Sequence, residues 1–110
     1  MVKFNFIYKN KKFSINVKEC KGYFSKMSGL MFRKKSLPLL FIFNKPVRQA
    51  IHSFFCVEFV GIWFNRGKIV DVKHVKPWKF YVIPSGKFDK LLEIPVNNPN
   101  FNLIRLLIYK

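Results

Sequence analysis

Few residues in this chain could do bond-making chemistry. The soft ligands and nucleophiles are two cysteines, Cys20 and Cys56, and two histidines, His52 and His74. Cys56 and His52 would share one face of an extended segment. Four residues along a strand separate their Cα atoms by roughly 13 Å, too far for a nucleophile and its base. No Gly-x-Ser-x-Gly elbow is present. The spacing of the cysteines and histidines matches no zinc pattern, so no metal is expected and the cysteines read as buried thiols. Gly29 and Gly67 stand alone and open no phosphate-binding loop. The richest pattern is different in kind. Lys73, His74, Lys76, Trp78, Lys79 and Tyr81 interleave cations with flat rings, as oligonucleotide-binding β domains do. The bland alternative puts Trp78 and Tyr81 in or against the core and leaves the lysines as a solvated rim. Arg33, Lys34 and Lys35 form a second basic cluster.

The whole chain shares that basic character. Lys and Arg number 21 against 5 acids, a formal net charge of +16 on 110 residues. Such a chain attracts polyanions by counterion release. The same residues carry a coding bias: 14 Phe and many Lys, Asn and Ile, beside a single Ala. Charge by itself therefore does not separate selected nucleic-acid binding from stickiness. With 50% hydrophobic residues the chain is no disordered basic tail, and its length suits one domain. Five acids are too few for a dense carboxylate metal cage. The N-terminal residues alternate without a signal-peptide core, and no apolar run approaches the roughly 20 residues of a membrane helix. The expectation is a cytoplasmic protein.

The elements that must carry these residues are mostly strands. Val2, Phe4, Phe6 and Tyr8 share one parity, as do Phe13, Ile15 and Val17. With Lys9 to Lys12 between them they predict a hairpin. Cys20 to Ser28 fits a short helix ending at Gly29. Pro38 to Phe43 predicts a strand stopped by a turn at Asn44-Lys45-Pro46. Gln49 to Cys56 alternates. Phe59 to Phe64 is nearly all apolar and predicts a central strand buried on both faces. Gly67 suits a tight connection that needs positive φ. Strands are expected at Lys68 to Lys73, Trp78 to Ile83, Phe88 to Ile94 and Leu103 to Tyr109, with a turn at Pro84-Ser85-Gly86 and a loose loop from Pro95 to Asn102. The expected fold is all-β: one domain over 1–110, an antiparallel sandwich or partly open barrel of eight to nine short strands with one short helix.

Several short segments also resemble a known family. They are Gly29-Leu30-Met31-Phe32-Arg33, Leu39-Leu40-Phe41-Ile42-Phe43, Ile51-His52-Ser53-Phe54-Phe55, Val70-Asp71-Val72-Lys73, Lys76-Pro77-Trp78 and Leu92-Glu93-Ile94-Pro95. In that order and spacing they resemble the prokaryotic family known as domain of unknown function 192, over about residues 20–96. Many members carry an Ile-Pro-x-Asp element before the Phe-rich strand; here that stretch has Phe59 and Gly61, so no role of that acid transfers. The resemblance implies a compact β domain and no particular reaction. Its motifs single out Arg33, His52 and Glu93. These could tie a loop to the sheet, or form a pocket for a small anionic ligand with Arg33 as the bidentate group.

The residues thus point to a binding domain without cofactor, leaning away from catalysis. Its ligand is either a small anion at Arg33, His52 and Glu93, or nucleic acid or another polyanion at Lys73, Lys76, Trp78, Lys79 and Tyr81. An enzyme whose residues are not recognisable is the third reading.

Overall fold

The computed structural model describes residues 2–20, 37–51, 58–79, 81–99, 101–102 and 105. Six strands lie within them: β1 (Val2–Tyr8), β2 (Lys11–Cys20), β3 (Leu39–Val47), β4 (Phe59–Asn65), β5 (Lys68–Val75) and β6 (Phe88–Pro95). They form a single curled sheet, a half-barrel, in the order β1-β2-β3-β6-β4-β5.

Local chemistry accounts for the hairpins. Lys9 and Asn10 both take positive φ, at 49° and 65°, which makes the two-residue turn whose twist matches paired strands. The β1–β2 register then runs from Tyr8↔Lys11 to Val2↔Val17. Arg66 and Gly67, at φ 53° and 80°, repeat the device between β4 and β5. In β2 alternation decides the faces: Phe13, Ile15 and Val17 are buried, while Ser14 and Asn16 between them and Lys18 after them are exposed.

The curl follows from ring contacts. Three strands lie between β1 and β4 in the sheet, yet the Phe4 and Phe64 rings meet edge-on at 5.3 Å and Phe6 meets Phe64 at 5.6 Å. The face holding these rings must therefore close on itself. It contains Phe6, Phe13, Ile15, Val17, Leu40, Ile62 and Leu92 among others. The outer face of the central strands is buried too, around Leu39, Phe41, Phe59, Trp63, Phe88 and Leu91. β4 accordingly has six consecutive buried residues, as its apolar run predicts.

Several expectations need correction. Six strands lie among the described residues, and the expected count of eight to nine is not confirmed there. The sheet is not wholly antiparallel: β2 and β3 pair in parallel, Lys18↔Leu39 to Cys20↔Phe41. Asn44-Lys45-Pro46 does not end the strand but lies within β3, where the ladder to β6 shifts between Ile42 and Val47. A proline has no N–H to give the ladder, and a bulge accommodates it. The described residues of Trp78 to Ile83 form no strand. The one ladder element among them is an isolated bridge, Ile51↔Val82, because Pro77 and the positive φ of Trp78 (64°) turn the chain away. The stretch after Pro95 is less loose than its asparagines suggest. Val96 donates to the Glu58 carbonyl, and the backbone N–H of Asn98, Phe101 and Asn102 each bond three residues back. Phe101, Asn102 and Arg105 are helical where a strand was expected to begin nearby. The helix expected after Cys20 and the residues His52 to Cys56 lie outside the described residues, and so do Leu103, Ile104 and Leu106 to Tyr109.

Candidate functional site

The basic and aromatic segment leaves the sheet at the end of β5. Within β5, Asp71 acts as a brace: its carboxylate accepts from the N–H of Val72 at 2.8 Å and of Ser85 at 2.9 Å. Ser85 returns a hydroxyl bond to the Val70 carbonyl, so the Pro84-Ser85-Gly86 bend is tied along β5. Lys73 stands exposed with its ammonium 3.9 Å from Asp71 Oδ2. His74 faces the Glu58 carboxylate. Val75 is buried and ends the strand.

Beyond Val75 the chain arches outward and returns at Val82, which exchanges two backbone bonds with Ile51 at 2.7 and 2.9 Å. Between these anchors Lys76, Pro77, Trp78 and Lys79 are all exposed, and so is Tyr81. Trp78 is 56% accessible and Tyr81 69%, so neither ring belongs to the core. That exposure rules out burial within the core but not packing against it. Pro77 presets the turn and Trp78 takes its left-handed position. A bulky L-residue there costs about 1–2 kcal/mol. The chain bears that cost while keeping a large apolar ring in water, between two lysines.

The Arg33, His52 and Glu93 set is only partly visible, because Arg33 and His52 lie outside the described residues. Glu93 is placed: on β6, it pairs in register with Leu39 of β3 and Gly61 of β4. It is 6% exposed and the one buried charged residue among those described. Burial pushes its carboxyl up to about 8, so at neutral pH it is largely the neutral acid. Beside it, the Trp63 ring covers Gly61 so closely that a methyl group there would sit 3.0 Å from the ring. Trp63 is itself fully buried, and its indole N–H has no partner among the described residues. Sequence reasoning did not find this cluster. The only signal was a glycine inside an otherwise bulky strand, which marks close approach of a neighbour.

Among the described residues no three His, Cys, Asp or Glu side chains gather as a metal site. Among them also, no helix is long and apolar enough to cross a membrane. Cys20 is a buried thiol at the end of β2, its Sγ 3.8 Å from the Lys18 carbonyl oxygen.

No family model matches the chain. Two solved structures share its fold. A protein of unknown function from Novosphingobium aromaticivorans superposes with a TM-score of 0.78 at 16% identity, covering 99% of this chain and 79% of that one. A Sinorhizobium meliloti protein described as a candidate transcription regulator superposes at 0.73 with 15% identity, covering 93% and 81%. At those identities the likeness is one of fold. Sequence likeness is stronger elsewhere: a UPF0127 protein of Pyrococcus horikoshii is 32% identical over 91 residues, 79% of this chain and 78% of its own length. On that shared length and identity, the chain belongs to the UPF0127 family.

Proposed function

We propose that this protein is a non-enzymatic binding domain that captures a polyanion, single-stranded nucleic acid in particular, on the arch from Lys73 to Tyr81. One observation carries the reading: Trp78 is exposed, in a left-handed backbone position, with Lys76 and Lys79 on either side. Exposed rings offer every base a stacking face, and the flanking ammonium groups meet the phosphates. Tyr81 extends the platform, Lys73 extends the charge, and the net charge of +16 draws the strand in.

The test separates ring from charge. Trp78→Ala should cost about 1–3 kcal/mol of affinity for single-stranded RNA per stacked base, with the salt dependence unchanged. Trp78→Gly removes the ring and also suits the left-handed backbone, so it should keep the melting temperature while losing the same affinity. Changing Lys76 and Lys79 to Gln should lower the slope of log K against log salt by about 0.7 for each phosphate that is no longer neutralised. A folded Trp78 variant with unaltered affinity contradicts the reading.

A second reading rests on Glu93. A buried, largely neutral carboxyl on the outer face of β6 is a hydrogen-bond donor as well as an acceptor. Together with Arg33 and His52 it would make a small-anion pocket. The motifs that suggest that trio also carry the proposed kinship with domain of unknown function 192. Isothermal titration with inorganic phosphate and short carboxylic acids, on the protein and on Glu93→Gln, tests this pocket.

A further inference from the structure

The arch is not the only basic surface with an apolar component. A cleft of about 570 Å³ opens between the β1–β2 hairpin and the β4–β5 turn, lined by Asn5, Phe6, Ile7, Lys12, Phe13 and Gly67 among others. β1 and β5 end the sheet, so the cleft lies where its two ends approach each other. Among the described residues, β1 pairs only with β2. The hairpin register fixes which of its groups point away. Tyr8 and Lys11 flank a two-residue turn and exchange backbone bonds, so Phe6, Phe4 and Val2 also bond to β2. The N–H and C=O groups of Lys3, Asn5 and Ile7 therefore face outward along the edge, and the Ile7 side chain is 60% exposed.

The chemistry around this edge selects its occupant. The β1–β2 hairpin carries five lysines, Lys3, Lys9, Lys11, Lys12 and Lys18, against one acid, Glu19 at the far end of β2. Arg66 and Lys68 add two cations beside Gly67 at the opposite rim. The inward face of β1 offers the half-buried rings of Phe4 and Tyr8, on either side of Phe6, which is buried against Phe13 at 5.2 Å. A strand added here would set every second side chain beside these rings and the others toward lysines.

We propose that the outward edge of β1 and the adjoining cleft take an acidic peptide as an added strand, one that alternates apolar with acidic residues. Backbone bonds to Lys3, Asn5 and Ile7 supply the register, the rings of Phe4 and Tyr8 take the apolar side chains, and the lysines favour acidic segments and repel basic ones. The surface differs from the Lys73 to Tyr81 arch and stands or falls without it.

The test uses a fluorescein-labelled peptide alternating glutamate with valine, and the same peptide with alternate backbone amides N-methylated. The full chain should bind the first and not the second. Asn5→Pro deletes an N–H that bonds to nothing in β2 and should weaken binding about tenfold, the worth of a hydrogen bond with its neighbour disturbed. Ile7→Glu sets a like charge on the edge and should weaken it at least as much. If Asn5→Pro does not fold, Ile7→Glu and the methylated peptide decide. Trp78→Ala should leave peptide binding as it is. Equal binding of both peptides, or indifference to both edge variants, overturns the proposal. So does failure to bind the peptide at all, which would make the lysines mere guards of a bare edge. If the edge variants weaken RNA binding while the peptide does not bind, the surface belongs to nucleic acid and the proposal falls.

Discussion

Glu93 shows how much one residue's surroundings decide. Its register partners are Leu39 and Gly61, and burial alone raises its carboxyl from 4.5 to about 8. Between those values the folded chain holds a proton that the unfolded chain has released. Stability from this group is fully present below about pH 4.5 and is lost as pH rises toward 8, at up to about 1.4 kcal/mol per pH unit. Urea unfolding at pH 5.5, 6.5 and 7.5 should therefore show a falling free energy, and Glu93→Gln should flatten the fall. A wild-type protein that is equally stable across that range would mean that the carboxyl is ionised in the fold, held so by a cation such as Arg33. The same titration thus tests whether the two residues meet. Trp78 is the opposite case: it is more than half exposed, and what marks it is the backbone it occupies.

At the scale of elements, β4 organises the molecule. Its even residues Val60, Ile62 and Phe64 fill the inner face, and its odd residues Phe59 and Trp63 fill the outer one. Phe64 is the ring that Phe4 and Phe6 reach across the sheet. Phe64→Ala should cost about 3–5 kcal/mol, read as a drop in the urea midpoint, because the cavity opens where the curl closes. A midpoint like the parent's would place the hairpin elsewhere. β4 was legible in the sequence for a simple reason: a strand buried on both faces reads as an unbroken apolar run. The β1–β2 hairpin and the positive φ at Gly67 were legible because alternation and turn residues are local. Three features were not local. The parallel pairing of Lys18–Cys20 with Leu39–Phe41 joins segments far apart in the chain. Asn44-Lys45-Pro46 has the composition of a turn, but the flanking residues hold it in β3 as a bulge. Trp78 to Ile83 has the residues of a strand, and the turn at Pro77-Trp78 prevents one. For the site, spacing brought out the cations and rings of Lys73 to Tyr81, but only the fold put Trp78 and Tyr81 in solvent. The Glu93–Gly61–Trp63 cluster depends on register between β4 and β6, which no single segment encodes.

At the scale of the molecule, the half-barrel uses its apolar residues on two faces of one sheet and leaves a strongly cationic exterior. The arch from Lys73 to Tyr81 adds rings to that charge, and the proposed function rests on this combination. The two tryptophans allow it to be tested in one titration. Trp63 is fully buried, whereas Trp78 is more than half exposed. Only Trp78 can stack on an incoming base, so only its emission should respond directly to bound nucleic acid. Adding single-stranded polyuridine at low salt should quench the red-shifted part of the tryptophan fluorescence saturably, with the quench reversed by added salt. Binding that is evident from anisotropy of a labelled strand but leaves this emission unchanged would contradict a stacking role for Trp78, and would leave net charge alone as the cause of binding.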